Sequence, residues 1–468
     1  MRARLSLGAG AALAAGLVLT GCATASSPSE AGGLAPSSTQ VPASWSLEPL
    51  PPARTGLPAD PVLAAILADI AVGPDMAAAR ARLAEAEAGL GVARSALAPT
   101  LTLTASASRG TLQPGFGPAG GGRIDSRSTA LALDVPLDIA GSSRARAAAA
   151  RARVDLAEAE AERIALVSQR TAAALYVTAL VARRQQALIG QAVAVASETV
   201  RLTGIRVDAG LASGLEQAEA REALAAIQAR LPAAAQAGAA AQFALEALAG
   251  QAPGTYTARL DAVADGPMPA GPAVGLLDNP AAVLARRPDV RAAQAALRAA
   301  GLDARAAQRD RWPSLSLSAL LGWTDPGFAA AADTDSIGLS LLAPVFDFGR
   351  LQGLARAAGA RGEAAAADYA GTLADAMQDV ATEASRLRRA QVARASQLVA
   401  AEAAAARAQL VNDRQAAGLS SLIELLRARA SLLEAQLLEA TAAGEEATAG
   451  YALAAALGLP VTAPRNLP

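Results

Sequence analysis

The chain has 468 residues, a formal net charge of −1 and a pI near 5.9. It has no histidine, no lysine and one cysteine, which excludes histidine-based triads, histidine metal ligands and intrachain disulfides, and its even charge balance offers no basic stripe for nucleic acid. Aromatic residues make up only 3% and the 53% hydrophobic share is swollen by alanine, so the composition suits long helices packed through small side chains rather than a globule around bulky ones.

Arg2 and Arg4 precede an apolar stretch from Leu5 to Leu19, the layout of an export signal. Leu19-Thr20-Gly21-Cys22 follows and resembles a bacterial lipobox. On that reading residues 1–21 form a cleaved lipoprotein signal peptide and Cys22 carries the acyl chains. The alternative is a plain signal peptide with an incidental cysteine. Ala23, rather than aspartate, is compatible by analogy with passage to the outer membrane. Residues 22–60, rich in Ser, Pro and Ala, read as an extended tether that Trp45 and Leu47 can pin to a surface.

Helical sequence starts at Pro61 and ends before Pro99, because proline cannot continue a helix and biases its predecessor toward extended backbone. The period then changes. Leu101, Leu103, Ala105 and Ala107 alternate with Thr100, Thr102, Thr104 and Ser106, which predicts a strand over 99–109. Glycines and prolines through 110–126 predict a loop, and Leu131, Leu133, Val135 and Leu137 a second strand over 128–138, closed by Pro136. A helix over 142–209 follows, about 100 Å long if unbroken, then a helix over 213–249 bent at Pro232. Residues 250–280, with Pro253, Pro267, Pro269, Pro272 and Pro280, read as a linker. The order then repeats: helix 281–311, strand 313–323, loop 324–335, strand 336–347 closed by Pro344, helix 350–416, helix 421–457. Pro99 and Pro313 lie 214 residues apart; Pro136 and Pro344, and Gly210 and Gly418, lie 208 apart. The chain is therefore two copies of one module, 61–249 and 281–458, with an irregular tail over 459–468.

No internal segment reads as a membrane helix: the uncharged run Leu231 to Leu245 is 15 residues and mostly alanine. The strands do read as membrane-facing, each about ten residues long with dyad alternation, as in outer-membrane barrels. Phe116, Trp323 and Phe328 supply a thin aromatic girdle. Four strands cannot close a barrel, and an open edge in lipid leaves backbone groups unpaired at several kcal/mol each. Other copies must complete the sheet. The alternative, a soluble sheet covered by helices, is disfavoured because helices about 100 Å long leave no compact domain to cover.

Leu284 to Trp323 carries a more specific signal. LARRPDVRAAQAALRAA, followed by a Trp-Pro-x-Leu-x-Leu strand, resembles the signature of the outer-membrane efflux protein family, closest to the lipoprotein, NodT-like branch of TolC-type channels. The resemblance covers about residues 60–460. It implies a mainly α fold with a small β part. It also implies a homotrimer whose chains each give four strands to a shared twelve-stranded transmembrane β-barrel and long helices to a periplasmic tube. Such a protein is a lipid-anchored exit duct in the outer membrane, passively conducting small molecules such as drugs from a tripartite efflux pump. The implied partners are a periplasmic membrane-fusion adaptor and an inner-membrane resistance–nodulation–division transporter. No enzyme is implied, and no cofactor beyond the lipid on Cys22. A duct for type I protein secretion and a structural trimeric lipoprotein spacer are the alternatives. The lipobox and the signature favour the first reading, and a spacer needs no alternating strands.

Asp347-Phe348-Gly349 has the letters of a kinase magnesium motif without its His-Arg-Asp partner, and Gly120 to Gly122 precede no phosphate-binding lysine; both read as turns. The turns farthest from the strands are more informative. Gly210 and Gly418 stop a helix, and Ser213 to Glu216 and Ser421 to Glu424 have the spacing of capping boxes. Capping alone can explain them. The resemblance implies a further role as the periplasmic tip, where the adaptor docks and the tube closes, because TolC-like channels place a gate-lining carboxylate where Glu216 and Glu424 stand. Arg427 departs from that pattern, standing where such channels can carry a second acid, so Glu424 and Arg427 can close a ring by ion pairing.

Overall fold

The structure, a computed structural model, describes residues 60–111, 123–269, 279–327 and 329–461, with 41, 42, 44 and 45 of the tether. Cys22, Leu47, Phe116, Gly120 to Gly122 and Phe328 lie outside the described residues. The first copy runs α1 (Pro61–Ile70), α2 (Pro74–Ser95), β1 (Thr100–Thr111), β2 (Arg123–Leu137), α3 (Ser142–Asp208), α4 (Gly214–Gln228) and α5 (Arg230–Leu248). A short helix, α6 (Thr257–Asp261), sits in the stretch that reads as a plain linker. The second copy runs α7 (Pro280–Arg286), α8 (Pro288–Arg309), β3 (Ser314–Asp325), β4 (Ala332–Leu342), α9 (Arg350–Ala416) and α10 (Leu422–Ala456).

Several boundaries differ from the sequence reading, each for a local reason. The first helix of each copy is broken one residue before a proline, at Gly73 and at Arg287. Helix α3 is followed by two helices that part at Ala229. Pro232 lies in the first turn of α5, where a missing N–H breaks no helical bond. Strand β2 starts at Arg123, inside the expected loop, because the hairpin continues to pair up to Thr111 opposite Arg123. Pro136 is inside β2, not at its end: β1 begins at Thr100 opposite Asp134, so Pro136 lies past the last β1 pair. Strand β4 runs from Ala332 to Leu342 and stops before Pro344.

Helices α3 and α9, 67 residues each, are unbroken rods about 100 Å long. Helices α2 and α8 flank their sheet-proximal halves, and α4, α5 and α10 the distal halves. Across the molecule the order is α2 with α4 and α5, then α3, then α8 with α10, then α9. The sheet repeats it as β1-β2-β3-β4, antiparallel throughout. Arg146–Asp310, Arg153–Asp303, Arg298–Asp155 and Arg291–Glu162 zip α3 to α8. Such half-exposed pairs add little stability each and fix the register of the two helices. Helix α3 is, by length and composition, apolar enough to cross a membrane, which the sequence reading did not anticipate. Its alanine-rich middle instead forms a core: Ala172, Tyr176, Val177 and Leu180 pack on Leu63, Ile66 and Ile70 of α1, Leu245 of α5, Tyr256 and Leu260.

Large side chains concentrate at this equator, and polar groups tie it together. Asp60 caps α1, accepting from the amides of Val62 at 2.9 Å and Leu63 at 3.2 Å, and takes the Tyr176 hydroxyl at 2.5 Å. Glu246, 1% exposed, accepts from the amides of Gly254 and Tyr256, both at 2.8 Å, and so shapes the linker turn. Arg287, buried between α7 and α8, donates Nε at 3.0 Å and Nη2 at 2.6 Å to Asp289, and Nη1 at 2.7 Å to the Ala456 carbonyl that ends α10. Desolvation pushes the Asp289 carboxyl up, but the guanidinium outweighs it and holds the group below its ordinary range. The first copy has Gly73 at this place, and a β-carbon there would lie 2.9 Å from the Leu248 carbonyl oxygen. One copy packs backbone against the helix end; the other reaches it with an arginine.

Candidate functional site

The sheet has two chemically distinct faces. Register places Leu101, Leu133, Ala319 and Ile337 in one row and Leu103, Leu131, Leu321 and Asp335 in the next. Leu101, Leu103, Ile337, Leu339 and Leu341 are each more than 60% exposed, and β1 and β4 are exposed along their whole length. On the opposite face, hydroxyls meet across strands: Ser106 and Ser128 at 2.8 Å, Ser108 and Ser126 at 2.7 Å. On the apolar face, the first charged residues are Arg109 on β1, Arg127 on β2, Asp325 on β3 and Asp335 on β4. In register terms this boundary slides along the sheet from β1 to β4, as it must if tilted strands cross a layer of constant thickness. Gly327 closes the β3–β4 connection. Its φ is +76°, and a β-carbon would fall 2.2 Å from the Asp125 carbonyl oxygen, so only glycine fits.

Strands pass into helices through carboxylate caps. Asp138 accepts from the amides of Ser143 at 3.1 Å and Arg144 at 2.9 Å; Asp347 accepts from Gly349 at 3.0 Å and Leu351 at 2.8 Å. The Asp-Phe-Gly triplet is thus a turn, with Phe348 and Gly349 at φ of +53° and +81°.

At the far end of the rods, Gly210 (φ +68°) and Gly418 (φ +73°) stop α3 and α9. Both capping boxes form: Ser213 accepts from the Glu216 amide at 3.3 Å, and Ser421 from the Glu424 amide at 3.2 Å. The turns are not equivalent. Glu424 also receives the Ser420 hydroxyl, where the first copy has Ala212. That hydroxyl first, then the Ser421 amide, holds Glu424 below the usual carboxylate range. Glu216 instead has Arg206 at 3.8 Å. Arg427 is exposed, and the structure does not bring it onto Glu424 within one chain: the glutamate is folded back onto its own turn. Leu211, Leu215 and Leu419 are about 70% exposed around the two turns.

Two long rods, an open sheet with one apolar face, and a duplicated order of elements identify the architecture. A sequence profile described as outer membrane efflux protein matches residues 70–251 and 279–459, once per copy. The chain belongs to the outer membrane efflux protein family. The pyoverdine export outer membrane protein OpmQ of Pseudomonas aeruginosa is 29% identical over 236 residues, 49% of this chain and 48% of that protein. Its Pseudomonas putida counterpart is 31% identical over 265 residues, 56% of each. The chain spans about half the length of these curated relatives. The solved outer-membrane channel OprN superposes with a TM-score of 0.74 at 28% identity, over 85% of this chain and 90% of that one. The outer membrane protein VceC of Vibrio cholerae gives 0.72 at 26%, over 86% and 97%. The fold is that of TolC-like channels.

Sequence reasoning missed the exposed aromatic residues where strands meet helices. Trp312, Phe346 and Phe348 are 68%, 77% and 91% exposed, and Phe346 and Phe348 meet edge to face at 4.5 Å. Scarcity was the available signal. In a chain with only five Phe and three Trp, these three adjoin Pro313 and Pro344, the markers of the strand ends.

Proposed function

We propose that three copies close head to tail into the exit duct of a tripartite efflux pump. The open, four-stranded sheet, with its leucine face and both outer strands uncovered, carries this reading. Lipid covers the leucines, and β4 of one copy pairs with β1 of the next, giving twelve strands with no free edge. The unpaired flank of α9 (Leu354, Val392, Val399, Leu410) likewise meets the α2 and α5 flank (Val92, Phe243) of the next copy. Trp312, Phe346 and Phe348 stand at the periplasmic interface of the bilayer. Cys22 carries the acyl chains, and the rods hang into the periplasm. An adaptor docks at their tips and an inner-membrane resistance–nodulation–division transporter drives cargo into a passive conduit. Glu216 and Glu424 hold the tip closed.

The test is conductance of purified trimers in planar bilayers. Wild type shows low resting conductance. Glu216→Gln with Glu424→Gln, which retains much of the capping geometry, raises it and admits a bulky antibiotic normally excluded. A folded trimer as closed as the wild type leaves these residues a capping role alone.

A further inference from the structure

The hydroxyl face of the sheet faces inward if the duct forms as proposed, and its chemistry is unusual in what it omits. On that face, among the described strand residues, Asp134 is the sole ionisable side chain. Arg109, Asp125, Arg127, Asp325, Asp333 and Asp335 all stand on the other face. Thr and Ser dominate the hydroxyl face, and its bulky members are Ile124, Leu320 and Leu342, with no aromatic ring among the described residues. Ser106 and Ser108 bond Ser128 and Ser126 across the strands, and Ser318 donates to the Gly338 carbonyl at 3.3 Å.

We propose that the barrel section is a charge-indifferent passage for hydrated, hydrogen-bonding solutes, and that any sorting by charge happens at the tip. Twelve strands about 4.8 Å apart and tilted about 45° enclose a radius of about 13 Å. Three Asp134 carboxylates on such a wall stand roughly 20 Å apart, well beyond the screening length of about 8 Å at physiological salt. Their fields do not overlap, so anions are not expelled and cations are not concentrated. Small hydroxyl side chains leave the bore wide and wet, and offer a large apolar solute nothing to adhere to. The passage therefore suits polar cargo rich in hydrogen-bonding groups, of either sign.

The inference rests on the duct reading, and one experiment separates the two. Ser106→Cys and Ser318→Cys place a thiol on the hydroxyl face; Leu103→Cys and Leu339→Cys place one on the leucine face. Trimers in lipid vesicles are treated with impermeant methanethiosulfonates bearing a sulfonate or a trimethylammonium group, each rate divided by that reagent's rate with a free thiol. Trimers without an introduced cysteine give the blank, since Cys22, acylated on the duct reading, offers no free thiol. The hydroxyl-face thiols react with both reagents at normalised rates within about threefold of each other at 0.15 M salt, and Asp134→Asn changes that ratio by less than about twofold. The leucine-face thiols stay unreactive. A ratio above about tenfold at either serine position overturns charge indifference while leaving the duct intact. Unreactive hydroxyl-face thiols, or leucine-face thiols that react equally, overturn the duct itself.

Discussion

Replacing Arg287 by methionine isolates the device that anchors the second copy at its equator. Methionine keeps the length and apolar volume of the stem but removes five donors. Breaking a buried ion pair by removing one partner costs about 3–5 kcal/mol. Here Asp289 keeps 29% of its side-chain exposure and Asp379 60%, so water recovers part of that loss and Asp379 adds almost nothing. The Ala456 carbonyl loses its 2.7 Å bond, worth about 1 kcal/mol. A local destabilisation of about 2–3 kcal/mol follows, confined to the α7–α8 junction and the end of α10. Local opening is read by amide hydrogen exchange, where this corresponds to roughly 30- to 150-fold faster exchange over residues 288–293 and 450–458. Asp289→Asn in the same chain removes the stranded charge and restores about 1–2 kcal/mol. Exchange within about threefold of wild type at both segments, or a double variant less protected than Arg287→Met, contradicts the assignment of this guanidinium as the clamp.

Trp45 packs against the core cluster that contains Val380, 30 residues into α9 and so about 45 Å from the sheet. The 23 residues from Cys22 span at most about 80 Å. Deleting eight tether residues should therefore leave palmitate labelling and outer-membrane fractionation intact, whereas deleting fourteen, which leaves a reach of about 30 Å, should pull Trp45 off its site or abolish assembly; equal behaviour of the two deletions refutes the path. Acid should loosen the second tip turn. Glu424 has a lowered folded value, so its cap contributes above the ordinary value of about 4.3 and is lost as pH falls through the folded one. Resting conductance should rise only once pH has fallen below that ordinary value, and Ser420→Ala, which removes the leading cause, should move that rise to higher pH; an unmoved onset refutes the role of the hydroxyl.

Much of the fold was legible because punctuation residues act locally. Gly141 and Gly349 open the two rods and Gly210 and Gly418 close them, so the ends of α9 could be read to the residue and those of α3 to within one. Pro99 and Pro313 marked where helix gives way to strand. The errors arose where a neighbour decides. Pro136 reads as a stop, yet lies inside β2 because β1 does not extend alongside it. Arg123 reads as loop, yet pairs with Thr111 across the hairpin. The break at Gly73 is announced locally by Pro74, whereas the Leu248 carbonyl, 175 residues away in sequence, is what leaves no room for a β-carbon there. At the tip, the serine and glutamate spacing revealed the capping boxes, but not that Ser420 would claim Glu424 while Arg427 stays apart.

The two copies end in turns that share a backbone path and differ in chemistry, alanine and a nearby Arg206 in one, serine in the other. A three-fold particle built from such chains presents six seats in two alternating kinds. A partner that binds all six must accept both kinds with one surface, or be made of two conformers itself. A partner that discriminates can fill only alternate seats. If the duct forms as proposed, the stoichiometry of its complex with a partner follows from the small mismatch between duplicated halves, and evening out that mismatch is a way to change how many partners bind.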